Sequence, residues 1–242
     1  MPARTLLKAL TEAGAGSRRR MAEAIMQGMV TVNGRIAEDL KLPIDPEGDE
    51  VCINGRPVSL KPNEIICLML NKPEGILSTT SDERGRRTVT DILPEAYRKL
   101  RLYPAGRLDA DSTGLLLLTN DGDLTYRLTH PKFEHEKEYL VRIEGSLKPA
   151  EIKRLENGLR LEDGPTRPAA VRETASEAPF NYSVTIHEGR KRQVRRMFAA
   201  LGHQVISLRR VRIGGLMLGD LKEGAARRLS AAEIASLFSN TA

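Results

Sequence analysis

The chain has 242 residues, 40% of them hydrophobic, enough for one substantial core and a small second one. Its 38 lysines and arginines against 32 acids give a formal charge of +6, an excess that suits a polyanionic partner without demanding one. No run approaches the roughly 20 apolar residues of a membrane span. The start, Met1-Pro2-Ala3-Arg4-Thr5-Leu6, lacks the apolar segment of a secretory signal, so a cytoplasmic protein is expected. Cys52 and Cys67 have no CxxC spacing, and His130, His135, His187 and His203 are dispersed. The cysteines read as reduced core residues, and no metal site is expected.

The first sixty or so residues have their own texture. Leu6, Leu7, Leu10 and Ala13 recur at helical spacing until Gly14 and Gly16 break the pattern, and Ser17 stands as the N-cap of a second helix, Arg18 to Gln27. Val30-Thr31-Val32 and Val51-Cys52-Ile53 are each followed by Asn-Gly-Arg, a strong hairpin signal. Arg18-Arg19-Arg20 opens the second helix, where cationic side chains and unused backbone N–H groups together suit a phosphate. Taken alone, such a run is more often solvated surface.

Lys61-Pro62-Asn63-Glu64 reads as a linker to a larger domain, 65–242. There the pattern predicts a strand from Ile65 to Leu70 and a helix near Val89 to Leu93 stopped by Pro94. The loop from Gly106 to Gly114 then runs directly into Leu115-Leu116-Leu117-Leu118. Four consecutive leucines cannot be half solvated, so they read as a strand buried on both faces. A helix from Leu124 to about Thr129, a strand from Glu138 to Ile143, and a helix capped by Ser146 and ending at Asn157-Gly158 follow. Strands are predicted near Ala169 to Arg172 and at Tyr182 to Ile186, then a helix from Gln193 to Leu201 and an alternating strand from Val205 to Ile213. Ser230 and Glu233 form a capping box for a terminal helix reaching Phe238. Strands and helices mix without regular βαβ units. The class is therefore α+β: a small N-terminal domain, 1–60, and a larger mixed, mainly antiparallel sheet flanked by helices.

Within the larger domain, Asp109 opens onto the leucine strand and is thereby anchored on something rigid, as catalytic geometry requires. An isolated Asp there would usually be a turn residue, and an isolated Tyr139 a strand aromatic. The run from Gly189 to Met197 carries Arg190, Lys191, Arg192, Arg195 and Arg196 into the start of a helix, where cations oppose the helix dipole. An anionic ligand or a buried carboxylate would remove that conflict.

Two resemblances join these pieces. Gly16 to Glu23, with Ile25, Gly28 and Val30 to Gly34, resembles the small αL-type RNA-binding domain shared by a ribosomal small-subunit protein and tyrosyl-tRNA synthetase, over about residues 3 to 60. It implies that Arg4, Ser17, Arg18, Arg19 and Arg20 bind RNA. Asn71 to Gly75, Gly85-Arg86, Thr88-Val89, Gly106 to Gly122, His130-Pro131, Glu136 to Tyr139, Gly189 to Met197 and Ile213 to Leu218 resemble the pseudouridine synthases, specifically the RsuA/RluB branch that acts on ribosomal RNA.

That second resemblance implies that Asp109 is the essential catalytic acid residue, acting at ribose C1′ or C2′ of a uridine, and that Tyr139 packs on the uracil and assists proton removal from C5. Arg195 would pair with Asp109. Arg107 would occupy the space of the flipped base, Leu216 would form the apolar pocket wall, and Arg190, Lys191 and Arg192 would bind substrate. The isomerisation loses no atom and uses no external oxidant, so no cofactor is expected. The implied partner is ribosomal RNA or a ribosomal assembly intermediate, met by a monomer. A glycoside-type hydrolase using Asp109 with Asp111 gives no reason for the arginine-rich helix start or the RNA-binding segment. A silent assembly factor would have no use for Asp109, Tyr139 and Arg195 together.

Overall fold

The computed structural model describes residues 4–239, so the outermost residues of the expected domains, 1–3 and 240–242, lie outside the described residues. It divides into two compact units, Met1–Ile65 and Ile66–Ala242. Among the described residues no helix is long and apolar enough to cross a membrane.

The first unit runs β1 (Arg4–Thr5), α1 (Leu6–Glu12), α2 (Arg18–Met26), β2 (Val30–Val32), β3 (Arg35–Ile36), β4 (Pro43–Ile44), β5 (Val51–Ile53) and β6 (Arg56–Pro57). Leu6, Leu10, Met21, Ile25, Val30 and Val51 fill its core. Ser17 caps α2 by accepting from the Arg20 N–H at 3.1 Å. Both Asn-Gly pairs close tight hairpins, with Asn33 and Asn54 at φ 50° ahead of their glycines. They complete a four-stranded sheet ordered β3-β2-β5-β6. The stretch expected as a linker is tied back to this unit, since Asn63 N donates to the Glu12 carbonyl at 3.0 Å.

The second unit contains β7 (Cys67–Lys72), α3 (Glu95–Arg98), β8 (Tyr103–Pro104), β9 (Thr113–Thr119), α4 (Gly122–Thr129), a 3₁₀ turn (Pro131–Phe133) and β10 (Lys137–Ile143). Then come α5 (Pro149–Asn157), β11 (Arg160–Leu161), β12 (Gly164–Pro165), β13 (Ala170–Glu173), β14 (Tyr182–Ile186), α6 (Gln193–Ala199), β15 (Val205–Ile213), β16 (Leu216–Met217), β17 (Ala226–Arg228) and α7 (Ala231–Ser236). One nine-stranded sheet is ordered β13-β14-β10-β15-β9-β7-β17, with β16 beside β15 and β8 beside β9. Its pairs are antiparallel except β15 with β9.

The leucine strand is β9, and it is covered on both sides. Leu116 and Leu118 enter one core with Leu68, Leu70 and Val141, while Leu115 and Leu117 enter the other with Cys67 and Met69. The parallel seam places Arg210 opposite Gly114. A Cβ on Gly114, whose φ is +100°, would stand 2.2 Å from the Arg210 carbonyl oxygen, so only glycine allows β9 and β15 to approach here.

Three local expectations are corrected. No helix forms at Val89–Leu93: Pro94, with φ −52°, caps α3 instead of ending a helix, because its fixed φ already suits a helix start. The cap of α5 is Lys148 and not Ser146, with the Glu151 carboxylate accepting from Lys148 N at 2.7 Å. The strand expected at Ile65 begins at Cys67 and continues to Lys72, taking the lysine into the interior.

Candidate active site

The loop between β8 and β9 has its backbone fastened at each step. The Leu108 carbonyl accepts from Ser78 Oγ at 2.8 Å, and the Asp109 carbonyl from Ser112 N at 3.1 Å. The Ala110 carbonyl accepts from Gly75 N at 2.8 Å and from Lys72 Nζ at 3.3 Å. The Asp111 carbonyl accepts from Arg195 Nη2 at 2.7 Å, and the Ser112 carbonyl from Lys72 Nζ at 2.8 Å. Lys72 is fully buried and gives its third bond to the Pro73 carbonyl at 2.9 Å. Burial pushes its pKa down to about 8, against the raising effect of Asp111 and Glu74. A compact ammonium with three donors thus organises a turn that no regular element holds.

This fastening leaves the Asp109 side chain 33% exposed on the wall of a cleft of about 780 Å³. Tyr139, at 8% exposure, faces the same cleft, as do Lys137, Arg210, Leu208 and Ile213. Register explains the grouping: β10 sets Tyr139 opposite Arg210, and β15 sets Arg210 opposite Gly114 at the entry of β9. Arg210 is 3% exposed, bonding the Leu115 carbonyl through Nε at 2.8 Å and the Tyr139 hydroxyl through Nη1 at 3.5 Å. Lys137 donates to the His135 carbonyl at 2.9 Å. Its pKa is pushed down to about 8 by burial and by the neighbouring Arg210 charge. Arg107 is exposed and also lines the cleft.

The cationic run separates into several roles. Arg192 adopts a left-handed conformation, φ 51°, as the N-cap of α6. Its guanidinium grips Asp111 through two bonds, at 3.1 and 2.9 Å, and comes only to 4.0 Å from Asp109. Arg195 was expected to pair with Asp109. Instead its Nε lies 3.4 Å from the Asp111 carboxylate, with Nη1 on the Val205 carbonyl at 2.8 Å. The reason is the turn itself, which points the Asp111 backbone and side chain together toward α6 and leaves Asp109 to the cleft. Burial raises the Asp111 pKa, but the Arg192 hydrogen bond and the two arginine charges outweigh it and hold the carboxyl below its usual range.

Arg190 lines the cleft, but its guanidinium is already engaged within the protein. Glu188 holds its Nε at 3.1 Å, and the carbonyls of Gly164 and Pro165 in the β11–β12 hairpin accept its other nitrogens. Arg196 is likewise held by Asp163. Carboxylates within the protein thus answer much of the helix-dipole conflict, while Lys191 remains exposed. Leu216 does not itself line the cleft: it pairs with Ile213 and packs in the cluster behind it, and that cluster reaches the cleft through Ile213, Leu117 and Leu128, with Leu208 on the facing side.

In the first unit Arg18, Arg19 and Arg20 are exposed. Arg4 lies 3.5 Å from Glu12, and Ser17 is engaged as a cap. Sequence reasoning did not single out Lys72, Ser78, Lys137 or Arg210 for a role. The signal for Lys72 was present: a cation ending an apolar strand and followed by Pro73 must find acceptors inside.

Sequence and fold place the chain that carries this cleft in a known enzyme class. Residues 66–200 match the RNA pseudouridylate synthase family, and residues 4–51 match the S4 domain. The chain belongs to the RNA pseudouridylate synthase family, and it is an isomerase that converts uridine to pseudouridine in RNA. It is 40% identical over 235 residues to the ribosomal large subunit pseudouridine synthase B of Bacillus subtilis, covering 96% of this chain and 94% of that protein. A pseudouridine synthase of Aquifex aeolicus is 39% identical, with 96% and 92% covered. A crystal structure of a pseudouridylate synthase superposes with a TM-score of 0.68 at 36% identity, covering 97% of this chain and all of that one.

Proposed function

We propose that the chain isomerises a specific uridine of large-subunit ribosomal RNA, in the cytoplasm and as a monomer, with Asp109 as the catalytic carboxylate. The observation that carries this reading is the Asp109 carboxyl opening on a cleft beside buried Tyr139, on a turn whose carbonyls from Leu108 to Ser112 are each hydrogen-bonded. Turnover breaks the C1′–N1 bond, rotates the uracil and joins C1′ to C5; the C5 proton leaves last and N1 takes one up, so the product is an isomer of the substrate. Asp109 acts at C1′ or C2′ of the ribose. A carboxylate fixed by its own backbone needs no reorganisation to do so.

The detached uracil must be held and kept from water, since hydrolysis would leave an abasic site. Tyr139 supplies an aromatic face, with Leu208 and Ile213 as apolar walls. Arg195 acts through the turn: it holds the Asp111 carbonyl and carboxylate and so keeps Asp109 aimed at the cleft. Arg107 fills the gap left by the extruded base, while Lys191 and Arg192 meet the RNA backbone near the cleft. Arg18, Arg19 and Arg20 give the S4 unit its phosphate contacts. The extrusion costs a few kcal/mol, which stacking and phosphate contacts repay.

The test is to map carbodiimide-reactive positions in total RNA from cells with and without the gene. One uridine of large-subunit ribosomal RNA should lose its adduct in the deletion strain. An unchanged pattern would contradict the reading.

A further inference from the structure

The chain is poor in aromatic side chains, with only 4 phenylalanines and 5 tyrosines, yet it gathers several at one place beside the cleft. Tyr126 on α4 and His130 at its end lie one turn apart, with ring centroids at 4.8 Å. The 3₁₀ turn then brings Phe133 edge-on to Tyr126 at 5.8 Å, and Phe133 stacks on His135 at 6.1 Å with an interplanar angle of 26°. Lys132 Nζ sits 5.1 Å from the Tyr126 ring and 4.7 Å from that of Phe133. The Arg127 guanidinium covers Phe238 at 3.7 Å. Glu134, the acid beside this cluster, is already paired with Arg167.

Packing alone does not account for the arrangement, because Tyr126 is 48% exposed and Phe133 is 37% exposed. Flat apolar rings fixed against one another and crowned by a cation are a suitable receiver for a nucleobase with its phosphate. Every base has a π-face, and the rings lose little freedom on contact because they are already ordered. The position fits as well. Leu128, Thr129, His130 and Pro131, between Tyr126 and Phe133 in sequence, line the same cleft as Asp109 and Tyr139.

We propose that Tyr126, His130 and Phe133, with Lys132, form a stacking platform that takes an unpaired nucleobase of the substrate RNA next to the uridine held in the cleft. The platform contributes RNA affinity and placement, and takes no part in bond making. This rests on the functional reading above, and it adds a second base site that bond chemistry at Asp109 does not require.

The test uses the full chain and a transcript of the ribosomal RNA segment carrying the mapped uridine, with 2-aminopurine at either neighbour of that uridine. Wild-type protein should quench the 2-aminopurine at one neighbour, and the Tyr126→Ala/Phe133→Ala variant should not. In single-turnover assays that variant should need about ten-fold more enzyme for half-maximal rate, with its maximal rate within about three-fold of wild type. Tyr126→Phe and Phe133→Tyr, which keep the rings, should restore both readouts, and thermal midpoints will report folding. Unchanged quenching and half-saturation in the double variant would overturn the platform. So would a defect seen only on assembly intermediates and not on the bare transcript, which would identify a protein as the occupant. If wild type forms no pseudouridine at all, the functional reading falls, and the quenching comparison still decides the platform.

Discussion

Lys72 Nζ donates to the Ser112 carbonyl at 2.8 Å, joining the end of β7 to the last residue of the Asp109 turn. The same ammonium holds the carbonyls of Pro73 and Ala110, so one side chain ties three points of the turn and its approach together, alongside Ser78 and Arg195. Lys72→Met keeps most of the volume and removes those three bonds. Leaving buried carbonyls without donors costs about 1–3 kcal/mol each where water cannot replace the lost partner. The variant should lose roughly 2–4 kcal/mol of stability by denaturant unfolding. Turnover measured well below its melting point should fall by far more than the unfolded fraction explains.

Asp111, not Asp109, is the anion that the α6 arginines hold, which separates two carboxylates only two residues apart. Asp111→Asn should therefore weaken the clamp and reduce the rate about ten-fold, since the Asp111 carbonyl still accepts from Arg195. Rapid-quench measurement of tritium released from C5-labelled uridine RNA reports the rate. A complete loss equal to that of the Asp109 variant would show that the two carboxylates share the chemistry.

Burial lowers the Lys137 pKa in the folded chain to about 8, from the 10.5 of an ordinary lysine. Between those two values the unfolded chain carries a proton that the folded chain lacks. Unfolding then takes up that proton, and stability rises with pH through the window. Below pH 8 both states are protonated and the burial penalty is present in full. Compared with Lys137→Met, which has no such group, the wild type should gain roughly 1–3 kcal/mol as pH rises from about 7.5 to 10.5. Parallel stability curves for the two proteins would show that this amine is not desolvated.

Much of this architecture was legible in the residues. The leucine run could only be a doubly buried strand, and β9 lies between β7 and β15 with a core on each side. The two Asn-Gly hairpins and the Ser230–Glu233 capping box are local chemistry, so local sequence sufficed for them. The helix start at Pro94 was misread as a stop because proline marks both kinds of boundary, and only the tertiary path distinguishes them.

The site was harder to read, since its assembly depends on register between distant strands. Nothing near Arg210 in the chain signals that it will face Tyr139, 71 residues away. Likewise the arginine-rich run showed that anions were needed, but not that Asp111, Asp163 and Glu188 of the protein itself would supply several of them.

The central claim concerns a single carboxylate, and Asp109→Asn tests it with almost no change of volume. RNA affinity should stay within a few-fold of wild type, because the change removes a charge but little volume and the turn is held through backbone carbonyls. Single-turnover conversion of the mapped uridine should become undetectable. Conversion by Asp109→Asn at the wild-type rate would contradict the account.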